Sequence, residues 1–244
     1  MRRAFVSTAL RLFTVQGSWN HDRMLGLGLG YATEPLLREL PGGVSGDRYR
    51  AAMRRAGGYF NAHPYLTGLA AGAIARAEHD GIAGEQVERL RTVLLGPLGS
   101  VGDRLIWAGT LPAASGLGLV LSATAPIGVG AVTFFVLHNL AHLVVRFWGL
   151  RAGWRLGTAV ARALASPALV TALKIVGPAA ALLVGAALPI TGAWLVSDLE
   201  VGARVAAAAM FVVAFLVTRW IAPTLRGTRL GLLVAAAVLI GEWM

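Results

Sequence analysis

Three short clusters of polar and aromatic residues interrupt an otherwise apolar chain. They consist of Gln16, Ser18, Trp19 and Asn20, of Asn61, His63 and Tyr65 around Pro64, and of Asp103 with Arg104. Amide and carboxylate groups hydrogen-bond hydroxyls in pairs, and an indole ring offers a flat apolar surface for stacking. The clusters therefore suit a neutral polyhydroxylated ligand such as a sugar. Hydrogen bonding between helices, with Asp103 paired to an arginine for structural reasons, explains the same residues equally well.

Other kinds of chemistry find less support in the sequence. Cysteine is absent, which excludes disulfides and thiolate chemistry. No arrangement of Ser, His and Asp, and no pair of carboxylates, indicates a catalytic centre. His138 and His142 stand four residues apart and could share a metal, but no third ligand lies near them in the sequence. We therefore predict no catalytic residues, no metal site and no cofactor.

Several glycines recur at short intervals. Gly26, Gly28 and Gly30 do not have the spacing of a dinucleotide-binding loop, and no strand precedes them. Small residues four apart, as in Gly68 with Gly72 and Gly153 with Gly157, allow membrane helices to approach closely. We predict close helix packing at all of these positions.

The composition indicates a membrane protein. Hydrophobic residues make up 56% of the 244 residues and charged residues only 14%. Residues 105–145 contain no Asp, Glu, Lys or Arg, and this run is about twice the roughly 20 residues that one spanning helix needs. The net charge of +10 is carried by arginine, with Lys174 as the single lysine. In a membrane protein such an excess marks cytoplasmic loops facing anionic lipid rather than a nucleic-acid site.

These patterns predict an all-α integral membrane protein with about five transmembrane helices in one domain, residues 1–244. Residues 1–57 form interfacial or cytoplasmic helices with the N-terminus retained and cytoplasmic, residues 58–75 a re-entrant segment, and residues 83–95 an amphipathic helix. Residues 105–244 hold the transmembrane helices. We place them at 105–122, 127–145, 168–196, 201–217 and 230–240, the last being short for a full span.

Four motifs resemble the IID component of mannose/fructose/sorbose-family phosphotransferase systems (PTS). They are Gln16-Gly17-Ser18-Trp19-Asn20 with Asp22-Arg23-Met24, Gly58 to Gly68, Leu95-Gly96-Pro97-Leu98 with Gly102-Asp103 and Trp107, and Arg146-Phe147-Trp148-Gly149-Leu150 with Gly153 and Gly157. Their order and spacing match that family over nearly the whole chain. Arg104, in place of a small hydroxyl residue, and His21-Asp22, in place of an aromatic-Glu pair, depart from the pattern.

The resemblance implies a non-catalytic subunit of the bacterial inner membrane. With a IIC subunit it would form the carrier for a mannose-type hexose, in trimers of IIC-IID pairs, while cytoplasmic IIA and IIB relay phosphate from phosphoenolpyruvate. We expect Gln16, Trp19, Asn20, Asn61, His63 and Asp103 to bind the sugar. The alternatives are a transporter component that works without phosphorylation and a structural membrane scaffold.

Overall fold

The computed structural model describes residues 1–195 and 197–216, and these residues form helices and connecting loops with no named strand. The helices are α1 (Arg2–Arg11), α2 (Gly26–Leu37), α3 (Asp47–Ala56), α4 (Thr67–His79), α5 (Gly84–Gly102), α6 (Leu111–Thr124), α7 (Val129–Leu156), α8 (Ala161–Leu164), α9 (Pro167–Leu195) and α10 (Val201–Leu216). Met1–Thr191 form one compact unit, and a second unit begins at Gly192.

Three helical segments of the described part are long and apolar enough to cross a membrane: Gly84–Thr124, Val129–Ala159 and Pro167–Trp194. The first joins α5 to α6 through a π-helical stretch, Asp103–Thr110, in which the Leu111 amide bonds the carbonyl of Ile106, five residues earlier. π-Helical turns are rare and occur frequently at functional sites. The three long apolar segments confirm the prediction of an all-α integral membrane protein.

Helix α4 is the centre of the core, because nearly all of its side chains are buried. It packs along α7 with almost no side chain between the two backbones. A methyl group on Gly72 would overlap the Leu150 carbonyl, and one on Gly153 would overlap the Leu69 carbonyl. This contact confirms the predicted close packing at Gly68, Gly72 and Gly153. We call it the α4–α7 seam.

The glycines of α2 also serve close packing, as predicted. A methyl group on Gly26 would overlap the Gly58 carbonyl, and one on Gly28 would overlap the Val15 carbonyl. Two loops, before α2 and before α4, therefore lie directly against this helix. That contact brings together the first two polar clusters of the sequence.

Two predicted helix boundaries are wrong. The amphipathic helix does not end at Leu95, because α5 runs on through Pro97 to Gly102. The second span does not end at Val145, because α7 continues to Leu156. Helix α9 does contain both Pro178 and Pro189, as expected of a single long segment.

The remaining predictions of this kind are not decided by the fold. Residues 57–66 form a loop that leads into α4, and whether 58–75 is re-entrant stays a prediction. Helix α10 matches the predicted segment 201–217. The predicted segment 230–240 lies outside the described residues.

Candidate functional site

A cleft of about 630 Å³ opens between two loops and a helical wall formed by α5 and the π-helical stretch that follows it. Its lining is rich in polar and aromatic side chains. It includes Gln16, Trp19, Tyr59, Asn61, His63, Ser100, Asp103 and Trp107. Five of the six residues that we predicted from the sequence to bind a ligand therefore line one cleft.

The two loops are joined by backbone hydrogen bonds. The Leu25 amide donates to the Phe60 carbonyl at 2.9 Å, and the Phe60 amide donates to the Arg23 carbonyl at 3.2 Å. Phe60 itself is completely buried. The loop that carries Gln16 and Trp19 is therefore fixed to the loop that carries Asn61 and His63.

Asn20 is the nominated residue that does not line the cleft. Its side-chain amide donates to the Ser18 carbonyl at 3.1 Å, and its oxygen accepts the Arg23 amide at 2.9 Å. Side chains of this type commonly close a turn by bonding the nearby backbone. In this structure Asn20 shapes the loop that presents Trp19.

The opposite wall is one face of a helix. Gly96, Ser100, Asp103 and Trp107 recur at intervals of three or four residues, with Gly99 next to Ser100, and this is the spacing of a single helical face. Asp103 and Trp107 lie in the π-helical stretch. Ser100 and Tyr59 also line the cleft and were not predicted from the sequence, although Ser100 stands one helical turn before Asp103.

His63 is the most buried polar group of the cleft, with 2% of its surface exposed. Its Nδ1 accepts the Tyr65 amide at 3.2 Å, so the proton of the neutral ring resides on Nε2. That Nε2 is buried and has no hydrogen-bond partner among the described residues. Its ring centroid lies 5.1 Å from that of Trp107 and 5.2 Å from that of Tyr65.

Burial also decides the charge of this imidazole. Removal from water disfavours the imidazolium and lowers the pKa of His63 to about 4. Asp103 acts in the opposite direction and Arg146 adds to the lowering, but both effects are smaller than that of burial. At neutral pH the cleft therefore contains an uncharged imidazole that offers one N–H donor.

Two buried arginines support the site, and neither was predicted from the sequence to belong to it. Arg91 of α5 directs one guanidinium nitrogen at the carbonyls of Ala56, Gly58 and Tyr59, at 3.4, 3.0 and 3.4 Å. Arg146 of α7 donates to the Leu12 carbonyl and lies 4.7 Å above the Tyr65 ring. Each therefore fixes backbone or aromatic groups next to His63.

The site has the properties of a reversible binding site for a small hydrophilic molecule. It combines amide, imidazole, hydroxyl and carboxylate groups with two indole rings that are about half exposed, Trp19 at 50% and Trp107 at 46%. Its volume lies within the roughly 300–1,000 Å³ typical of small-molecule sites. In the described part of the chain no three His, Asp or Glu side chains converge to hold a metal ion.

Fold and site together define an all-helical membrane protein with a polar cleft beside its spanning helices. Comparison with known protein families identifies the family. The chain belongs to the PTS mannose/fructose/sorbose family IID components, whose family model matches residues 1–188.

Characterised relatives carry names from the same family. The chain is 31% identical over 155 residues to the PTS system mannose-specific EIID component of Escherichia coli K12, covering 61% of this chain and 53% of the relative. It is 30% identical to the fructose permease IID component of Bacillus subtilis, covering 67% and 60%, and 33% identical to the sorbose-specific EIID component of Klebsiella pneumoniae, covering 62% and 56%. The matched regions thus span little more than half the length of these relatives.

Solved structures show the same fold. The chain is similar to one in a cryo-EM structure of the mannose transporter ManYZ in complex with microcin E492, with a TM-score of 0.61 and 25% identity over 76% of this chain and 69% of the other. A second membrane protein has a TM-score of 0.67 at 24% identity, with the same coverage. That second likeness concerns the fold alone.

Proposed function

We propose that this chain is the IID membrane subunit of a phosphoenolpyruvate-dependent sugar phosphotransferase system. With a IIC subunit it forms the carrier that brings a mannose-type hexose to IIB for phosphorylation. The chain itself is a non-catalytic translocation subunit, and IIA and IIB carry the phosphate. The observation that carries this proposal is the convergence of Gln16, Trp19, Asn61, His63 and Asp103 on one cleft.

The lining of the cleft supports a hexose as ligand. Vicinal hydroxyls accept and donate hydrogen bonds at once, and the amides of Gln16 and Asn61 do the same. The His63 Nε2–H is a donor with no partner in the described part of the chain, and Asp103 is an acceptor. The exposed indoles of Trp19 and Trp107 suit the apolar face of a pyranose ring.

The family membership supports the arrangement in the membrane. A relative in the ManYZ structure belongs to a mannose transporter. We infer that this chain pairs with IIC, assembles as a trimer of such pairs, and resides in the bacterial inner membrane with a cytoplasmic N-terminus. No nucleic acid is expected among its partners, because the arginine excess belongs to a membrane protein.

Uptake into vesicles tests the proposal. Vesicles containing this chain and its IIC partner, supplied with IIA, IIB and phosphoenolpyruvate, should accumulate labelled mannose as its phosphate. Asn61→Ala should abolish this uptake with the variant still present in the membrane at normal amounts. Asn139→Ala is the matched control, because Asn139 is an amide of α7 that bonds its own helix and does not line the cleft.

The outcomes separate the proposal from its alternatives. Uptake that proceeds equally without phosphoenolpyruvate indicates a transporter component that works without phosphorylation. Failure of the complete system to bind or accumulate any hexose indicates a structural scaffold. Normal uptake by Asn61→Ala and by His63→Ala removes the cleft from the mechanism.

A further inference from the structure

A second cleft, which shares no lining residue with the first, combines arginines with apolar side chains. It encloses about 450 Å³ between α1 and the end of α7, and its lining includes Arg2, Arg151, Arg155, Phe5, Val6 and Trp154. No carboxylate of the described residues lines it, and none lies within ion-pair distance of its three arginines. We call it the basic cleft.

The length of α7 allows this cleft to lie at the surface of a bilayer. Helix α7 begins at Val129, so Arg151 lies about 33 Å and Arg155 about 39 Å further along the helix axis at about 1.5 Å per residue. The hydrocarbon core of a bilayer is about 30 Å thick. If Val129 stands at one edge of that core, both arginines emerge at the level of the lipid head groups on the other side.

Helix α1 has the surface of a helix lying in that interface. Val6 and Leu10 of α1, and Phe13 in the 3-10 turn that follows it, repeat at helical spacing and are 54%, 61% and 42% exposed. Arg2 and Arg3 flank this apolar stripe and share a groove with Val6 and Leu10. Exposed apolar side chains beside arginines are typical of helices that insert their apolar face among acyl chains and keep their cations at the head groups.

We propose that the basic cleft binds the head group of one anionic phospholipid. The lipid phosphodiester would accept hydrogen bonds from Arg151, Arg155 and Arg2, since guanidinium groups match phosphate oxygens in a two-pronged geometry. Phe5, Val6 and Trp154 would contact the glycerol and the upper acyl chain. The apolar stripe beside the arginines favours a lipid over an acidic protein segment.

Lipid binding to the full chain tests this proposal. The chain is purified in a non-ionic detergent and titrated with phosphatidylglycerol or phosphatidylcholine of identical acyl chains, and bound lipid is counted by native mass spectrometry. We expect one saturable phosphatidylglycerol per chain and much weaker phosphatidylcholine binding. Each arginine near an anionic lipid contributes about fivefold in affinity, so the triple variant Arg2→Gln, Arg151→Gln, Arg155→Gln should bind about 100-fold more weakly.

A second triple variant controls for net charge. Arg50→Gln, Arg54→Gln and Arg89→Gln remove the same charge from exposed positions outside the cleft and should leave phosphatidylglycerol binding unchanged. Replacing the three cleft arginines by lysine should preserve most of the affinity. If the triple glutamine variant does not fold, the single change Arg155→Gln should still weaken binding about fivefold.

Four results would overturn the proposal. They are equal binding of the two lipids, an equal loss in the two triple variants, displacement by inorganic phosphate at the concentration of the lipid, and displacement by an acidic peptide below that concentration. Equal loss would indicate diffuse attraction rather than a site. Displacement by phosphate or peptide would indicate a free anion or a protein partner.

Discussion

Substitution of Gly102 provides a sharp test of how the polar cleft is built. A methyl group at this position would overlap Cβ and Cγ of His63 and lie 3.0 Å from its Cδ2. His63 has little room to move, because it is 98% buried by neighbours that include Tyr65 and Trp107. Gly99, one turn earlier in α5, has no atom of residues 1–195 or 197–216 within 4 Å of the same methyl position. Gly102→Ala and Gly99→Ala therefore make a matched pair.

The two variants should differ in stability by about 3 kcal/mol. Exchanging glycine for alanine inside a helix contributes up to about 1 kcal/mol to both. Overpacking a filled site costs about 1–3 kcal/mol, and the upper end applies because the clash is with atoms close to the His63 backbone. Gly102→Ala should thus lose about 2 kcal/mol, whereas Gly99→Ala should gain about 1 kcal/mol.

Thermal unfolding of the full chain in a non-ionic detergent, followed by tryptophan fluorescence, measures this difference. At about 2–4 °C per kcal/mol for a chain of this size, the two unfolding midpoints should lie about 10 °C apart. Gly102→Ala should also abolish hexose uptake at temperatures where it remains folded. Equal midpoints with equal uptake would refute the packing of His63 against α5.

Three further predictions concern the groups around the cleft. The pKa of His63 is about 6.5 in the unfolded chain and about 4 in the folded chain. As pH falls from about 6.5 to about 4, the unfolded chain therefore binds a proton that the folded chain does not, and the free energy of unfolding decreases. The wild type should lose about 3 kcal/mol over that window relative to His63→Gln, and equal pH profiles would contradict the burial of this ring. Arg91→Ala leaves three carbonyls without their donor and should cost about 2–4 kcal/mol and speed amide exchange in residues 57–61. Unchanged exchange would mean that Arg91 does not hold this loop. Glu78→Gln breaks the buried bidentate ion pair with Arg55, whose two hydrogen bonds are 2.9 and 2.8 Å long, and should lower the free energy of unfolding by about 3 kcal/mol. Glu85→Gln breaks an exposed ion pair with Arg89 and should have no measurable effect. Equal midpoints for these two variants would contradict the buried pair.

The polar cleft could be predicted largely from residue types. Clusters of amides and aromatic rings in an otherwise apolar chain indicate either a binding site or hydrogen bonding between helices. The motifs around Trp19 and His63 favour the binding site. What the sequence does not reveal is which polar side chains hydrogen-bond the backbone of their own loop instead of lining the cleft. Asn20 bonds the backbone of its own loop, and only the turn geometry distinguishes it from Asn61.

The helix boundaries were harder to predict for a physical reason. Proline removes one hydrogen bond and is expected to end a helix, yet α5 accommodates Pro97 and continues to Gly102. Arg146 would be expected to leave the apolar segment, but it is buried and donates to the Leu12 carbonyl. The continuation of α5 past Pro97 and the burial of Arg146 both depend on tertiary contacts, which the periodicity of the sequence does not reveal.

The α4–α7 seam restricts how this protein can change shape. Two backbones in direct contact have no intervening side chains that could repack to a second arrangement, so sliding one helix past the other would drive carbonyl oxygens into main-chain atoms. The two helices therefore move as one body. Any displacement of the start of α4 is therefore shared by the part of α7 packed against it, from Arg146 to Trp154, and Trp154 is itself part of the basic cleft.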